Sequence, residues 1–479
     1  MNFSERKRLN DTPQSIPLRP TSKPDGRFVA AIGFALVVIC IDYLLQLATP
    51  LRINTDAIAY FLIAASFTDG HGFLLHGHKP HFPSGYPAVI SMLERMGWGN
   101  SLALVAWNYL MLAIAILAAV WLLRRWLRLS LGAALAVATL FLLSVCTIRY
   151  STIPGSEPTY LAMSTLCLVC LTAAELAPAG KTAAAIVLWI VGAALSSAVL
   201  VRTVGVTLWP ALAWSAVLIW WRRRKDPLPL RQWASEHRRG IAAIAILVLL
   251  AAVAVVWVVV RNPYVHEALA KAKEQGIGYM VRFTLRSRAV EAGSILFNIW
   301  THDDQRIFRL LAILGVLALP LFLLLVIRRL RQPGSVDIYL AAYLCVVMVW
   351  PYKPDNRFWL PVEILIFGLL VRELIDLASR PGWAKAITAL AVVWGASFAI
   401  AGAAALGRST ALTYAGPRFS ERYDLPWARD TYRLALNNHL PVNSHDVLPD
   451  MLTVLHRYGG KNLAGGQDFK VVPPPSQQP

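Results

Sequence analysis

From residue 29 to residue 406 the chain alternates between long apolar runs and mostly short polar links. About eleven of these runs are nearly uncharged and roughly of the length that crosses the hydrocarbon core of a bilayer. They fall at 29–50, 101–123, 131–149, 158–176, 183–201, 206–221, 241–260, 307–327, 337–350, 358–370 and 386–406, the run at 337–350 being short for a span. The pattern predicts an all-α polytopic membrane protein with about 11 transmembrane helices. Two links are long, at 51–100 and 261–306. The amino-terminal stretch 1–27, with Pro13, Pro17, Pro20 and Pro24, reads as a disordered basic arm. The transmembrane region is expected at 28–406 and a small carboxyl-terminal region at 407–479. Within that last region 427–440 and 447–458 carry helical spacing, and a tail this short is expected to pack on the outer loops.

Composition agrees with the pattern. With 57% hydrophobic and 15% charged residues and a mean hydropathy of +0.52, a soluble globular domain is excluded. The first apolar run is long and preceded by basic residues, so it is expected to remain as a span and not to act as a cleavable leader.

Charge adds orientation. Arg6-Lys7-Arg8, Arg124-Arg125, Arg222 to Lys225 and Arg328-Arg329-Leu330-Arg331 fall on one side if the spans alternate. The positive-inside rule makes that side cytoplasmic, with the amino terminus inside and the carboxyl terminus outside. The net charge of +19 is then explained by topological anchors, and no nucleic-acid partner is implied. The outer link is the exception, since Arg261, Lys271, Lys273, Arg282, Arg286, Arg288, Arg306 and Arg309 stand on the translocated side. Anionic lipid headgroups or a phosphate-bearing substrate would account for that surplus. All five cysteines lie in or beside predicted spans, so none serves an extracytoplasmic disulfide framework.

Candidate chemistry gathers in the first outer loop. Asp56 and Tyr60 open an amphipathic stretch that ends at Asp69-Gly70-His71-Gly72, where the glycines permit a turn closing an interfacial helix. Asp56 reads two ways: as a helix N-cap after Asn54-Thr55, or as a carboxylate facing a polar cavity at the membrane boundary. His71, His76, His78 and His81 have a spacing that fits no standard metal site, so no metal is assigned and a divalent ion is not favoured. Lys79-Pro80 and Ser84-Gly85-Tyr86-Pro87 lead into the next helix, and Lys79 is a point cation suited to a phosphate.

An Asp followed four residues later by Tyr, then a D-G-x-G-F-like turn, then K-P and G-Y-P, resembles the first periplasmic loop of the GT-C glycosyltransferases. More narrowly it resembles bacterial members akin to the aminoarabinose transferase and the protein O-mannosyltransferases, which use polyprenyl-phosphate-linked sugars. The resemblance implies that Asp56 is the base acting on the acceptor and that Lys79 contacts the lipid phosphate. His78 stands where the aminoarabinose enzymes carry an acid, and Ala57 where the O-mannosyltransferases carry a second one. Glu157, in Gly155-Ser156-Glu157-Pro158, resembles an S/T-E-P element that binds sugar or acceptor, although a helix amino terminus alone favours an anion there. Arg202 ends a span, where a snorkelling role competes with phosphate binding. Arg261-Asn262 resembles an R-N element, and Arg357, in Pro354-Asp-Asn-Arg-Phe-Trp-Leu-Pro361, an R-Y/F-x-x-P element. Tyr60, His78, Gly85 and Tyr86 are expected to shape the loop or touch substrate.

These residues imply an inverting glycosyltransferase at the outer face of a bacterial inner membrane. Its donor would be a polyprenyl-phosphate sugar, and its acceptor a lipid, glycan or protein. Asp56 would take the acceptor's proton, and Lys79, Arg202, Arg261 and Arg357 would hold the departing phosphate. Nothing in the pattern calls for an organic cofactor. Two other classes share the donor chemistry: a transporter of lipid-linked glycans, and an O-antigen ligase or polymerase.

Overall fold

The computed structural model describes residues 26–49, 51–52, 54–178, 180–222, 263–299, 305–350, 354–380, 382–415, 450, 453–454 and 457–458. Among these the regular structure is helical, apart from one isolated bridge between Leu75 and His78. Among the described residues seven helical stretches are long and apolar enough to cross a membrane: Gly26–Ala48, Ser101–Trp126, Ser156–Leu176, Thr182–Leu200, Thr203–Trp221, Gln305–Arg329 and Ala384–Ala411. Their outward faces carry large apolar side chains in the open, among them Phe34, Leu117, Ile313, Leu317 and Ile400. Side chains of this kind are stable in the open only where the surroundings are themselves apolar.

In chain order the helices are α1 (Gly26–Leu45), α2 (Thr55–Thr68), α3 (Gly85–Arg95), α4 (Ser101–Trp126), α5 (Leu131–Leu142), α6 (Val145–Thr152), α7 (Ser156–Leu176), α8 (Thr182–Leu195) and α9 (Leu208–Arg222). Within the second long link lie α10 (Pro263–Gln275) and α11 (Ile277–Phe297), followed by α12 (Gln305–Arg329), α13 (Ser335–Val349), α14 (Leu360–Ala378) and α15 (Ala384–Ala415).

The count of eleven spans is met only in part. The run at 241–260 and the arm at 1–25 lie outside the described residues. α13 has 15 residues, about 22 Å of helix, short of the roughly 30 Å hydrocarbon core. α14 carries Glu363, Arg372, Glu373 and Asp376, too many charges for an apolar span.

The expected span at 131–149 is a bent pair, with α5 and α6 meeting at 62°. The sequence hides the bend because Leu143-Ser144 continues the apolar run. Its cause is local capping joined to a distant side chain. Ser144 caps α6, accepting from the Cys146 amide at 3.2 Å. Asn298, left-handed at the end of α11, accepts from the Val145 amide at 2.8 Å and donates to the Leu143 and Phe398 carbonyls at 2.9 and 3.0 Å. Backbone groups freed by a break in an apolar interior must find such partners. The bend swings Tyr150 and Arg149 toward the loop before α14, as the bond from Tyr150 to Asp355 shows.

The boundary expected at 407 falls inside α15, which runs on to Ala415. Arg408-Ser409-Thr410 reads as a polar link, but its hydroxyls face a partner. Arg52 donates to Ser409 Oγ and O, both at 2.8 Å, and to Thr413 Oγ1 at 3.0 Å. The last turns are therefore held by the chain entering the first outer loop.

The two ends of the bundle differ. At one end Arg124 and Arg125 close α4, and Arg328 and Arg329 close α12. There Asp337 accepts from Trp126 Nε1 at 3.0 Å and from Arg329 Nε at 2.9 Å. The opposite end receives α2, α3, the start of α7 and the turn before α14, and gathers the acids and arginines singled out in the sequence.

α11 and α12 pack backbone against backbone. A Cβ on Gly315 would overlap the Ala289 carbonyl, and one on Gly293 would overlap that of Leu311. Gly395 of α15 has open space around it. Gly315→Ala is expected to lower the melting temperature in detergent, at a cost of about 1–3 kcal/mol from overpacking. Gly395→Ala should be neutral or mildly stabilising. Thermal unfolding of both variants by intrinsic fluorescence checks the pair.

Candidate active site

α2 begins with Asn54, whose side chain accepts from the Ala57 amide at 2.8 Å. Asn54 is therefore the N-cap, and the capping reading of Asp56 is set aside. Relieved of that task, Asp56 turns to Arg357, whose Nη1 donates to Oδ2 at 2.5 Å across 301 residues of sequence. Arg357 also pairs through Nε with Asp355 at 2.7 Å. Burial would lower the Arg357 guanidinium, but Asp56 and Asp355 outweigh it and hold it well above its ordinary value. In the same way burial would raise the Asp355 carboxyl, yet Arg357 keeps it below the usual range. Tyr150 supplies a further donor, its hydroxyl reaching Asp355 at 3.0 Å.

A second acid–arginine pair lies alongside. Glu157, in the first turn of α7, accepts a short hydrogen bond from Arg202, and both side chains are nearly buried. Glu157 folds back over its own helix start, where any side chain on Gly155 would strike its carboxylate. Arg202 sits in extended backbone between two 3₁₀ turns and so escapes the helix axis. The Phe358 ring is shared by the two pairs, with Arg357 at 5.1 Å and Arg202 at 5.8 Å from its centroid. Cation–π contact of this kind holds two guanidinium groups near one another without a carboxylate between them.

Tyr60 stands between the pairs, its hydroxyl 3.3 Å from Ser156 Oγ. Burial pushes its phenol up to about 12, with Asp56 adding to the shift and Arg202 opposing it. Tyr86 packs edge-on against Tyr60 at 5.5 Å and is 1% exposed. Its hydroxyl is buried without a hydrogen-bond partner among the described residues. Gly85 is where α3 meets the turn Ser196–Leu200, and a Cβ there would lie 2.6 Å from the Leu200 carbonyl oxygen. Gly85, expected to shape the loop or touch substrate, is thus a point of close backbone approach.

Other expected residues stay apart from this cluster. Lys79 and His78 are exposed near the Leu75–His78 bridge, and Lys79 makes no ion pair among the described residues. Arg261 lies outside the described residues. Among the described residues no group of three or more His, Cys, Asp or Glu is placed to hold a metal ion. The four loop histidines do not converge, and His76 instead reaches Asp450 at 3.1 Å.

The expected helix at 427–440 and most of 447–458 lie outside the described residues, but the described carboxyl-terminal residues include two that touch the first outer loop. Arg457 pairs with Asp69 at 2.8 Å and with Glu94 at 2.6 Å, and Tyr458 donates to Glu94 at 2.7 Å. The sequence reading passed over Asp355, Tyr150 and Phe358. Asp355 and Phe358 flank Arg357 in the quoted Pro354–Pro361 stretch and were open to notice. Nothing in the sequence marked Tyr150.

No protein-family model and no curated protein matches the chain. Among solved structures it is similar to the archaeal oligosaccharyltransferase AglB from Archaeoglobus fulgidus, in complex with an inhibitory peptide and a dolichol-phosphate. The identity is 14%, over 84% of this chain and 59% of that one, with a TM-score of 0.47. It is also similar to ArnT from Cupriavidus metallidurans bound to undecaprenyl phosphate, at 14% identity over 90% and 89% of the two chains and a TM-score of 0.44. The chain spans about three-fifths of the length of the oligosaccharyltransferase it matches.

Arg202→Leu should leave Glu157 as an uncompensated buried charge and cost about 3–5 kcal/mol of stability. Adding Glu157→Gln to that variant should recover most of the loss. Melting temperatures of the single and double variants in detergent check the coupling; equal losses in both would show that the two side chains do not depend on each other.

Proposed function

We propose that this chain is an inverting glycosyltransferase of the GT-C type. It transfers a sugar from a polyprenyl-phosphate donor to a lipid, glycan or protein acceptor at the outer face of a bacterial plasma membrane. The observation that carries this reading is the pairing of Asp56 with Arg357 and of Glu157 with Arg202 at one end of the bundle, around Phe358. An anionic donor and an acceptor with a removable proton are what such a set of groups handles.

In the proposed reaction the acceptor's hydroxyl or amine gives its proton to Asp56 as its oxygen or nitrogen bonds to the anomeric carbon. The bond from that carbon to the phosphate oxygen breaks, and the electron pair leaves with the polyprenyl phosphate. Arg357 and Arg202 neutralise the charge developing on that phosphate. One displacement inverts the anomeric centre. Lys79, exposed on the first outer loop and apart from the cluster, and Arg261 are further proposed contacts of the donor phosphate, and Glu157 orients sugar or acceptor. The extramembrane segments contain no D-x-D motif of the kind that holds a nucleotide sugar, which supports a lipid-linked donor.

The orientation rests on charge. The arginines closing α4 and α12 stand at the end opposite the site, which by the positive-inside rule supports a site outside and an amino terminus inside. A transporter of lipid-linked glycans draws less support, because the acid–arginine pairs gather at one end of the bundle and do not mark a path through it.

Asp56→Asn is expected to abolish turnover of a radiolabelled polyprenyl-phosphate sugar while the protein still reaches the membrane, because an amide cannot take the proton. Near-normal turnover by the purified variant would overturn the assignment. Arg357→Lys should cost roughly ten- to a hundredfold in kcat/KM, since a point charge cannot serve both Asp56 and the phosphate as a guanidinium fork does. Turnover is expected to survive EDTA; loss on chelation with recovery on adding a divalent ion would place a metal in the mechanism.

A further inference from the structure

The turn that presents Arg357 is fastened to α11 as well as to its own helix. Glu291 of α11 accepts from the Asp355 amide through Oε1 at 2.7 Å, and from Trp359 Nε1 through Oε2 at 2.6 Å. Those two donors lie two residues before and two residues after Arg357. One turn along α11, Ser294 Oγ accepts from Asn356 Nδ2 at 2.5 Å. Glu291 and Trp359 are both 0% exposed, and Arg288 pairs with Glu291 at 2.9 Å with neither side chain exposed.

A charged pair buried this completely is a costly way to hold a fold together, since apolar side chains of similar volume commonly do as well or better. A role that an apolar pair cannot fill would account for its presence. A carboxylate offers two oxygens that accept at once, and here each takes one edge of the same short turn. Asp355, positioned through its amide, pairs with Arg357 Nε and thereby fixes the direction of the guanidinium that meets Asp56.

We propose that Glu291 is a positioning residue for Arg357, and that α11, in the long second outer link, is a working part of the site. This rests on the functional reading above, in which Arg357 receives the donor phosphate. Small displacements of α11 would pass through Glu291 to the Arg357 guanidinium, while Glu291 itself never touches substrate.

Binding of undecaprenyl phosphate to the purified full-length chain, measured in detergent, tests this apart from turnover. Glu291→Gln keeps one acceptor but turns an amide toward one of the two donors. Trp359→Phe removes a single donor without stranding a charge, and decides the matter if Glu291→Gln fails to fold. Each change is expected to weaken binding about tenfold in the wild-type background. In an Arg357→Lys background, whose side chain no longer makes the Nε pair with Asp355, neither should weaken it further. Such non-additivity is the mark of a residue acting through another. Full additivity, or wild-type affinity in the single variants, would overturn the proposal and leave the pair a purely structural one. If the wild-type chain bound no undecaprenyl phosphate, the functional reading itself would fall, and the proposal with it.

Discussion

Charge withdrawn from water has to be neutralised where it stands, and at one end of this bundle Arg357 does most of that work. It meets Asp56 from the first outer loop and Asp355 from its own turn, so two segments 301 residues apart are joined at one guanidinium. Arg202 repeats the arrangement with Glu157, and Phe358 lies against both. Remove the compensation and the acids would have to protonate, recruit water or move apart. The seating of α2 at the start of α7 and at the turn before α14 therefore involves these pairs as well as apolar burial.

The same requirement explains features that look unrelated. The break between α5 and α6 is tolerable because Asn298 satisfies the backbone groups it frees. That break lets Tyr150 reach Asp355. α11, whose last residues lead into Asn298, also carries Glu291 and Ser294, which hold the turn containing Arg357. One helix of the second outer link thus supports both the bend and the cationic turn. A site built this way carries its own counter-ions, and in the proposed reaction the donor phosphate would compete with Asp56 for a guanidinium already in position. Preorganisation of that kind places the cost of orienting the cation in folding and not in the reaction.

Much of this was legible in the sequence for simple reasons. Spans are visible because each must be apolar over most of its own length, a local property, and the arginines closing α4 and α12 mark one end for the same reason. Asp56, Glu157, Arg202 and Arg357 could be singled out because each interrupts an apolar neighbourhood or sits in a short recognisable motif. Gly85 and Tyr86 stood out through the turn they share. Lys79 was marked equally well, yet it is exposed and outside the cluster. A motif fixes a residue's type and neighbours but not where its loop folds back.

What the sequence alone determined was the helical, membrane-crossing character of the chain and the short list of polar residues kept near one set of span ends. Tertiary structure decided the pairings. The sequence left Asp56 either capping a helix or facing a polar cavity; in the fold Asn54 takes the cap and Arg357 arrives from a distant part of the chain to pair with Asp56. That Glu291 carries the turn of Arg357, that the run at 131–149 is bent, and that α15 continues past residue 406 each depend on a partner more than 50 residues away. Apolar periodicity is written within a single helix, whereas charge compensation is a relation between helices. Only folding brings its two members together.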